Sequence, residues 1–166
     1  IVTGHDTITQ ATGTTIDTGA GDIIFSADGD IIIADVSTTG TAAITAGGAI
    51  YDDNDSGIDL NAGVAVLTAG DGTSLSDADI ILDVNTADLT ATADNDIAIS
   101  NAASATVATL TSRVSADIQY SQAGDVDVTA TTEAGNITVL ADVDITATSV
   151  IAGGSGSDAY LVAGGG

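Results

Sequence analysis

The chain has 166 residues, with 23 Asp and one Glu against one Arg, one His and no Lys, and a formal net charge of -23. That balance argues against nucleic acid and anionic membrane surfaces as partners, and the absence of Cys excludes disulfides and thiolate metal sites. No apolar run approaches the roughly 20 residues of a membrane helix, while 44% hydrophobic residues and a positive mean hydropathy are too apolar for a disordered chain.

The start, Ile1-Val2-Thr3-Gly4, is neither a Met start nor a signal peptide, and reads as a mature piece or an excised segment. From there an apolar residue followed by a hydroxyl residue, usually then Ala, recurs along the chain. It appears at Ile8-Thr9, Phe25-Ser26-Ala27, Ile44-Thr45-Ala46, Leu67-Thr68-Ala69, Leu89-Thr90-Ala91, Leu110-Thr111, Val128-Thr129-Ala130 and Ile145-Thr146-Ala147. Eight rows at a mean step near 20 residues mark a repeat protein.

Between the rows lies a second series of short apolar segments: Ile31-Ile32-Ile33, Ile80-Ile81-Leu82, Ile97-Ala98-Ile99, Ile118-Gln119-Tyr120 and Ile137-Thr138-Val139. Each repeat therefore carries at least two strands. Gly21-Asp22, Gly29-Asp30, Asn95-Asp96, Gly124-Asp125 and Gly135-Asn136 open segments as turns, with residues that tolerate positive φ. In Asp125-Val126-Asp127-Val128-Thr129 and Asp142-Val143-Asp144-Ile145-Thr146 the alternation points Val and Ile inward and Asp and Thr outward. No long segment holds a 3.6-residue period, so almost no helix is expected.

A 20-residue repeat of two or three short strands cannot bury its own apolar face, whereas stacked coils share one core. The expected fold is all-β: a parallel β-solenoid (β-helix) of about eight coils, a rod about 38 Å long at about 4.8 Å per coil. An antiparallel β-sandwich of adhesin type is the alternative. Residues 1–152 would form the solenoid, and 153–166 a Gly-rich terminal segment, linker or start of a further coil.

The stretches Gly21-Asp22-Ile23-Ile24-Phe25-Ser26-Ala27, Gly124-Asp125-Val126-Asp127-Val128-Thr129-Ala130 and Gly135-Asn136-Ile137-Thr138-Val139-Leu140-Ala141 resemble the degenerate repeats of filamentous-haemagglutinin-like exoproteins, very large bacterial surface proteins. Ala49-Ile50-Tyr51-Asp52, Gly57-Ile58-Asp59-Leu60, Leu82-Asp83-Val84 and Leu89-Thr90-Ala91-Thr92 look like the irregular coils of such proteins, so the resemblance covers roughly residues 3–150. It implies a right-handed parallel β-helix at the cell surface or beyond, acting as adhesin, stalk or fibre, and it carries no catalytic residues. Separately, Gly153-Gly154-Ser155-Gly156-Ser157-Asp158-Ala159-Tyr160-Leu161 matches a single copy of the nine-residue pattern of calcium-binding RTX β-rolls.

Asp-rich turns at Asp28/Asp30, Asp52/Asp53/Asp55, Asp77/Asp79 and Asp94/Asp96 present hard oxygen donors suited to Ca²⁺. The metal candidates are Asp52, Asp53, Asp55, Asp94, Asp96 and Asp158, against the plainer reading of a solvated acidic surface. Stacked outward acids, Asp125 with Asp142 and Asp127 with Asp144, would repel at about 4.8 Å and call for salt, divalent cations or raised carboxyl pKa values. Arg113 serves to neutralise a nearby Asp, and His5 is a surface residue. Pairs at Thr90/Thr92, Thr109/Thr111, Thr129/Thr131 and Thr146/Thr148 would suit an ice-binding face, although the spacing of the rows is uneven.

One His with no Cys or Lys assembles no triad, zinc site or phosphate loop, so no catalytic residue and no organic cofactor is expected. The functional expectation is a non-enzymatic structural protein, secreted to the cell surface or beyond. It would assemble by coil stacking as a head-to-tail homopolymer or as part of a longer chain, with calcium as the candidate cation. An adhesin module for a glycan or surface is the alternative, ahead of an ice-binding solenoid or a polysaccharide-active enzyme.

Overall fold

The computed structural model describes residues 1–52, 57–70, 82–114 and 116–165. The strands wind into an all-β parallel solenoid of about seven turns, about 20 residues per turn, with no helix among the described residues. Every strand pairing among the described residues is parallel, which rules out the antiparallel sandwich.

The first levels carry three short segments each. They are β1 (Val2–Gly4), β2 (Ile8–Thr9) and β3 (Thr15–Asp17), then β4 (Ile23–Ala27), β5 (Ile31–Ile33) and the first part of β6 (Asp35–Ala46). The rest of β6 leads into β7 (Ile50–Asp52), β8 (Leu60–Ala69) and β9 (Leu82–Ala93). Beyond β9 a level needs only two strands: β10 (Ile97–Asn101) closes one level, and the later ones are β11 (Ala105–Ser112) with β12 (Ile118–Gln122), β13 (Asp125–Thr132) with β14 (Ile137–Ala141), and β15 (Ile145–Ala152) with β16 (Ala159–Ala163). The small sheet β2-β5-β7 belongs to the three-segment end.

One inward column runs the full height through Val2, Phe25, Ile44, Leu67, Ala91, Leu110, Ala130 and Val150. Eight levels enclose seven turns, which reconciles the eight coils read from the sequence with the count observed. The rows themselves need correction in register. Ile8-Thr9 lies in the separate small sheet, opposite Ile31-Ile32. In Leu89-Thr90-Ala91-Thr92-Ala93 the level is set by Ala91-Thr92-Ala93, two residues later than the motif suggests, and Thr131, not Thr129, continues it. The doubled motif offers both registers. Only the second places Ala93 above Ala69 in a column of small residues at the turn.

Packing explains why Ala is so abundant. The neighbouring inward column reads Ala42, Ala65, Leu89, Ala108 and Val128, beside Ile44, Leu67, Ala91, Leu110 and Ala130. Each of these five levels thus pairs one large side chain with one Ala, and all ten are fully buried. This keeps the cross-section constant, as close packing requires. Burial of each large member stabilises the fold by roughly 1.5–3 kcal/mol.

The predicted alternation holds in β13, where Val126 and Val128 are buried and Asp125 and Asp127 exposed. It fails at Val143, which sits in the turn before β15 and is 42% exposed. The turn glycines also have a different cause from the one expected. Gly124 and Gly135 do not adopt positive φ. A Cβ at Gly124 would land on the Ser104 carbonyl, and one at Gly135 on the Ala116 carbonyl. These glycines let one turn sit directly on the turn below.

Candidate functional site

Asp and Asn residues at the turns form a ladder of side chains along the solenoid. At each, a side-chain oxygen accepts a backbone N–H from the following level: Asp22 Oδ1 from Thr41 (2.9 Å), Asp30 Oδ1 from Ala49 (3.0 Å), Asp59 Oδ2 from Asp83 (3.0 Å), Asp96 Oδ1 from Asp117 (2.8 Å), Asp117 Oδ1 from Asn136 (2.7 Å), Asp125 Oδ1 from Asp144 (3.2 Å) and Asn136 Oδ1 from Asp158 (3.0 Å). Hydrogen bonds to an ionised acceptor are roughly twice as strong as neutral ones. Much of the acidity is therefore structural: Asp satisfies the amides that the turns leave outside the strand ladders.

Asp59 differs from the other rungs. It is 1% exposed, at the entrance to β8, whereas Asp22 and Asp125 are exposed and Asp30, Asp96 and Asp117 half-buried. Its Oδ2 takes the Asp83 amide, but Oδ1 is sealed from solvent and is the one buried side-chain polar atom without a hydrogen-bond partner among the described residues. Burial pushes its pKa from 3.8 up to about 8. The facing Asp52 carboxyl and the charge of Asp83 push the same way, against the Asp83 amide bond. Neither basic side chain relieves it, since Arg113 pairs with Asp94 (3.0 Å) and His5 with Asp28 (3.3 Å).

Of the six metal candidates, Asp52 lies beside Asp59, Asp94 is taken up by Arg113, and Asp96 holds the Asp117 amide. Asp158 is exposed in the turn before β16, its amide bonded to Asn136 and its carbonyl to the Ile137 amide. Asp53 and Asp55, with the turn Asp77/Asp79 and Ile80-Ile81, lie outside the described residues. Among the described residues no three His, Asp or Glu converge to hold a metal. Asp59 was not singled out from the sequence. Its signal there, an Asp between the apolar Ile58 and Leu60 next to a strand, is shared by many outward acids.

The stacked-acid pairs shift by one alternation. Val126 pairs with Ile145, which sets Asp125 beside Asp144, and Asp127 opposite Thr146. The Asp144 amide and the Thr148 hydroxyl, the latter 2.8 Å from Asp127 Oδ1, relieve part of the crowding. Thr148 is the extra residue of a bulge, so Thr146/Thr148 does not extend the Thr series.

A second buried polar group lies in the two-strand half. Asn101 Nδ2 donates to Thr86 O (3.0 Å), Thr106 Oγ1 (3.0 Å) and Tyr120 Oη (3.1 Å), while its Oδ1 accepts the Thr86 and Ala103 amides. Tyr120 donates to Gln122, and Gln122 to the Ala103 carbonyl. All five side chains are buried and partnered. Burial raises the Tyr120 pKa from 10.0 to about 12.

On the outer face, hydroxyl residues stack in register. One column is Thr3, Ser26, Thr45, Thr68, Thr92, Thr111 and Thr131, and beside it stand Thr90, Thr109, Thr129 and Ser149. No protein-family model matches the chain, and comparison with curated proteins and with solved structures likewise finds no match.

Proposed function

We propose that this chain is a structural segment of an extracellular or cell-surface solenoid, non-enzymatic, which extends by coil-on-coil stacking with a second copy of itself. The observation that carries the reading is that every strand pairing among the described residues is parallel, level on level, so further levels can be added along one axis. The inward column Ile99, Tyr120, Val139 continues to Leu161, yet Val139 is buried and Leu161 is 38% exposed. Both β15 and β16 present an unpaired strand edge, and Ala159–Ala163 is exposed throughout. At the opposite end Val2 is 42% exposed in the same column as Val150. A parallel stack is polar, so a further level, from a second copy or from the same longer chain, adds in one direction, and repeated head-to-tail addition propagates as an open filament. Likeness of the Gly-Asp repeats to filamentous-haemagglutinin-like exoproteins supports the surface location, and the high negative charge opposes lateral clumping.

Sedimentation and electron microscopy over a range of concentrations test the reading. End-to-end rods that lengthen with concentration are expected, and Leu161→Asp should abolish them. Monomers of one rod length at every concentration and salt would overturn it.

A second reading, an ice-binding face, gains from the aligned hydroxyl columns. Thr90/Thr92, Thr109/Thr111 and Thr129/Thr131 form a lattice of about 4.8 Å by about 6.6 Å on consecutive levels, so the uneven sequence spacing does not disrupt it. Loss of thermal hysteresis in Thr109→Tyr, in a protein that shows it, would support this reading; no hysteresis in the unaltered chain would end it.

A further inference from the structure

We propose that the Asp52–Asp59 carboxylate pair, at the corner between β7 and β8, binds a calcium ion that completes the coordination of the buried Asp59 Oδ1. An acidic surface cluster alone would not carry this, and the chain has many. The distinguishing feature is a side chain only 1% exposed whose second oxygen is sealed and accepts no hydrogen bond, with another carboxyl set against it. A buried polar atom left in that state costs about 1–3 kcal/mol, more when charged.

Asp59 Oδ2 accepts the Asp83 amide at 3.0 Å, as the Asp rungs do elsewhere on the ladder, and the calcium ion displaces the proton that burial and the Asp52 carboxyl hold on Asp59. The cation must come from outside, because the two basic side chains are committed to Asp94 and Asp28 and the chain has no Lys. The donors are all oxygen, which selects a hard ion. Calcium tolerates an irregular shell completed by backbone carbonyls and water, whereas magnesium demands a near-ideal octahedron. With two carboxylates the affinity belongs in the range of extracellular calcium modules, about 10⁻⁴–10⁻³ M.

Tyr51, next to Asp52 in β7, supplies an antenna for terbium, an oxygen-seeking probe that substitutes for calcium. Titration of the whole chain with Tb³⁺ at constant ionic strength, exciting tyrosine, should give a saturable emission that Ca²⁺ displaces and Mg²⁺ does not. Asp59→Asn keeps the shape and an acceptor for the Asp83 amide, and should weaken the saturable component tenfold or more. Asp52→Asn should do the same, and Asp88→Asn, which removes an equal charge on the exposed face of β9, should leave it unchanged. Equal weakening by all three variants would reduce the effect to general screening and overturn the site. Absence of a saturable component in the unaltered protein would overturn it too, leaving the pair to be held by a shared proton. The stacking reading fails or stands separately, on rod length.

Discussion

Two corners of the solenoid bury polar side chains in different ways. In the two-strand half, Asn101, Thr86, Thr106, Tyr120 and Gln122 close on one another and on the backbone, and each of these side chains has its polar atoms partnered. In the three-segment half, the corner leading into β8 buries one acid, Asp59, with another carboxyl in front of it and one oxygen unpartnered. The first arrangement is neutral and self-sufficient. The second sets two acids against each other in a poorly solvated corner and needs a proton or a cation from solution. A buried polar group is structural when its neighbours complete it, and a candidate site when they do not.

The largest expected effect tests the self-sufficient corner. Asn101→Ala leaves the Thr86 and Ala103 amides and the Thr86 carbonyl short of partners, and should cost about 3 kcal/mol in urea unfolding followed by circular dichroism. Asp59→Asn in chelator should cost nothing or stabilise, because it removes the cost of holding a proton on a carboxyl that is ionised in the unfolded chain at neutral pH. A comparable loss in both variants would erase the contrast between the corners.

Their pH windows should separate as well. Asp59 and Tyr120 are both acids whose folded pKa is raised, so the folded state holds the proton more tightly and each contribution is lost as pH rises. In chelator the Asp59 contribution should be fully present below about pH 3.8 and gone above about pH 8. That of Tyr120 should be lost between about pH 10 and 12. Asp59→Asn should remove the lower window alone, measured as the difference in unfolding midpoint from the unaltered chain. Tyr120→Phe should remove the upper one and cost about 1 kcal/mol at pH 7, since Gln122 loses its donor. A lower window that survives Asp59→Asn would mean the surface acids dominate.

Arg113→Ala should have the smallest effect, below about 1 kcal/mol and vanishing in high salt. The side chains of its pair with Asp94 are 49% and 40% exposed. A larger loss would place the charge balance of the whole rod, not its buried corners, at the centre of its stability.

Much of the fold was legible because a solenoid repeats its constraints locally. Val126 and Val128 alternate with Asp125 and Asp127, and the small-large composition matches an interior that shares one large residue and one Ala per level in its main columns. Register was not legible where a motif is doubled: Leu89-Thr90-Ala91-Thr92-Ala93 satisfies the pattern in two settings, and the level below chooses between them. The acids were harder still. Asp96, Asp125 and Asp59 look alike in the sequence, and their difference lies in what the adjacent turns place over them.

By itself, then, the sequence determined the strand period, the parallel stacking, the narrow Ala-rich core and the negative surface, because each follows from side-chain size and alternation within about 20 residues. Tertiary structure alone decided three things: which hydroxyls align in columns, which glycines must lack a Cβ, and which single carboxylate is buried against another. These depend on contacts between successive turns, where a shift of two residues leaves the local pattern intact and changes every neighbour above and below.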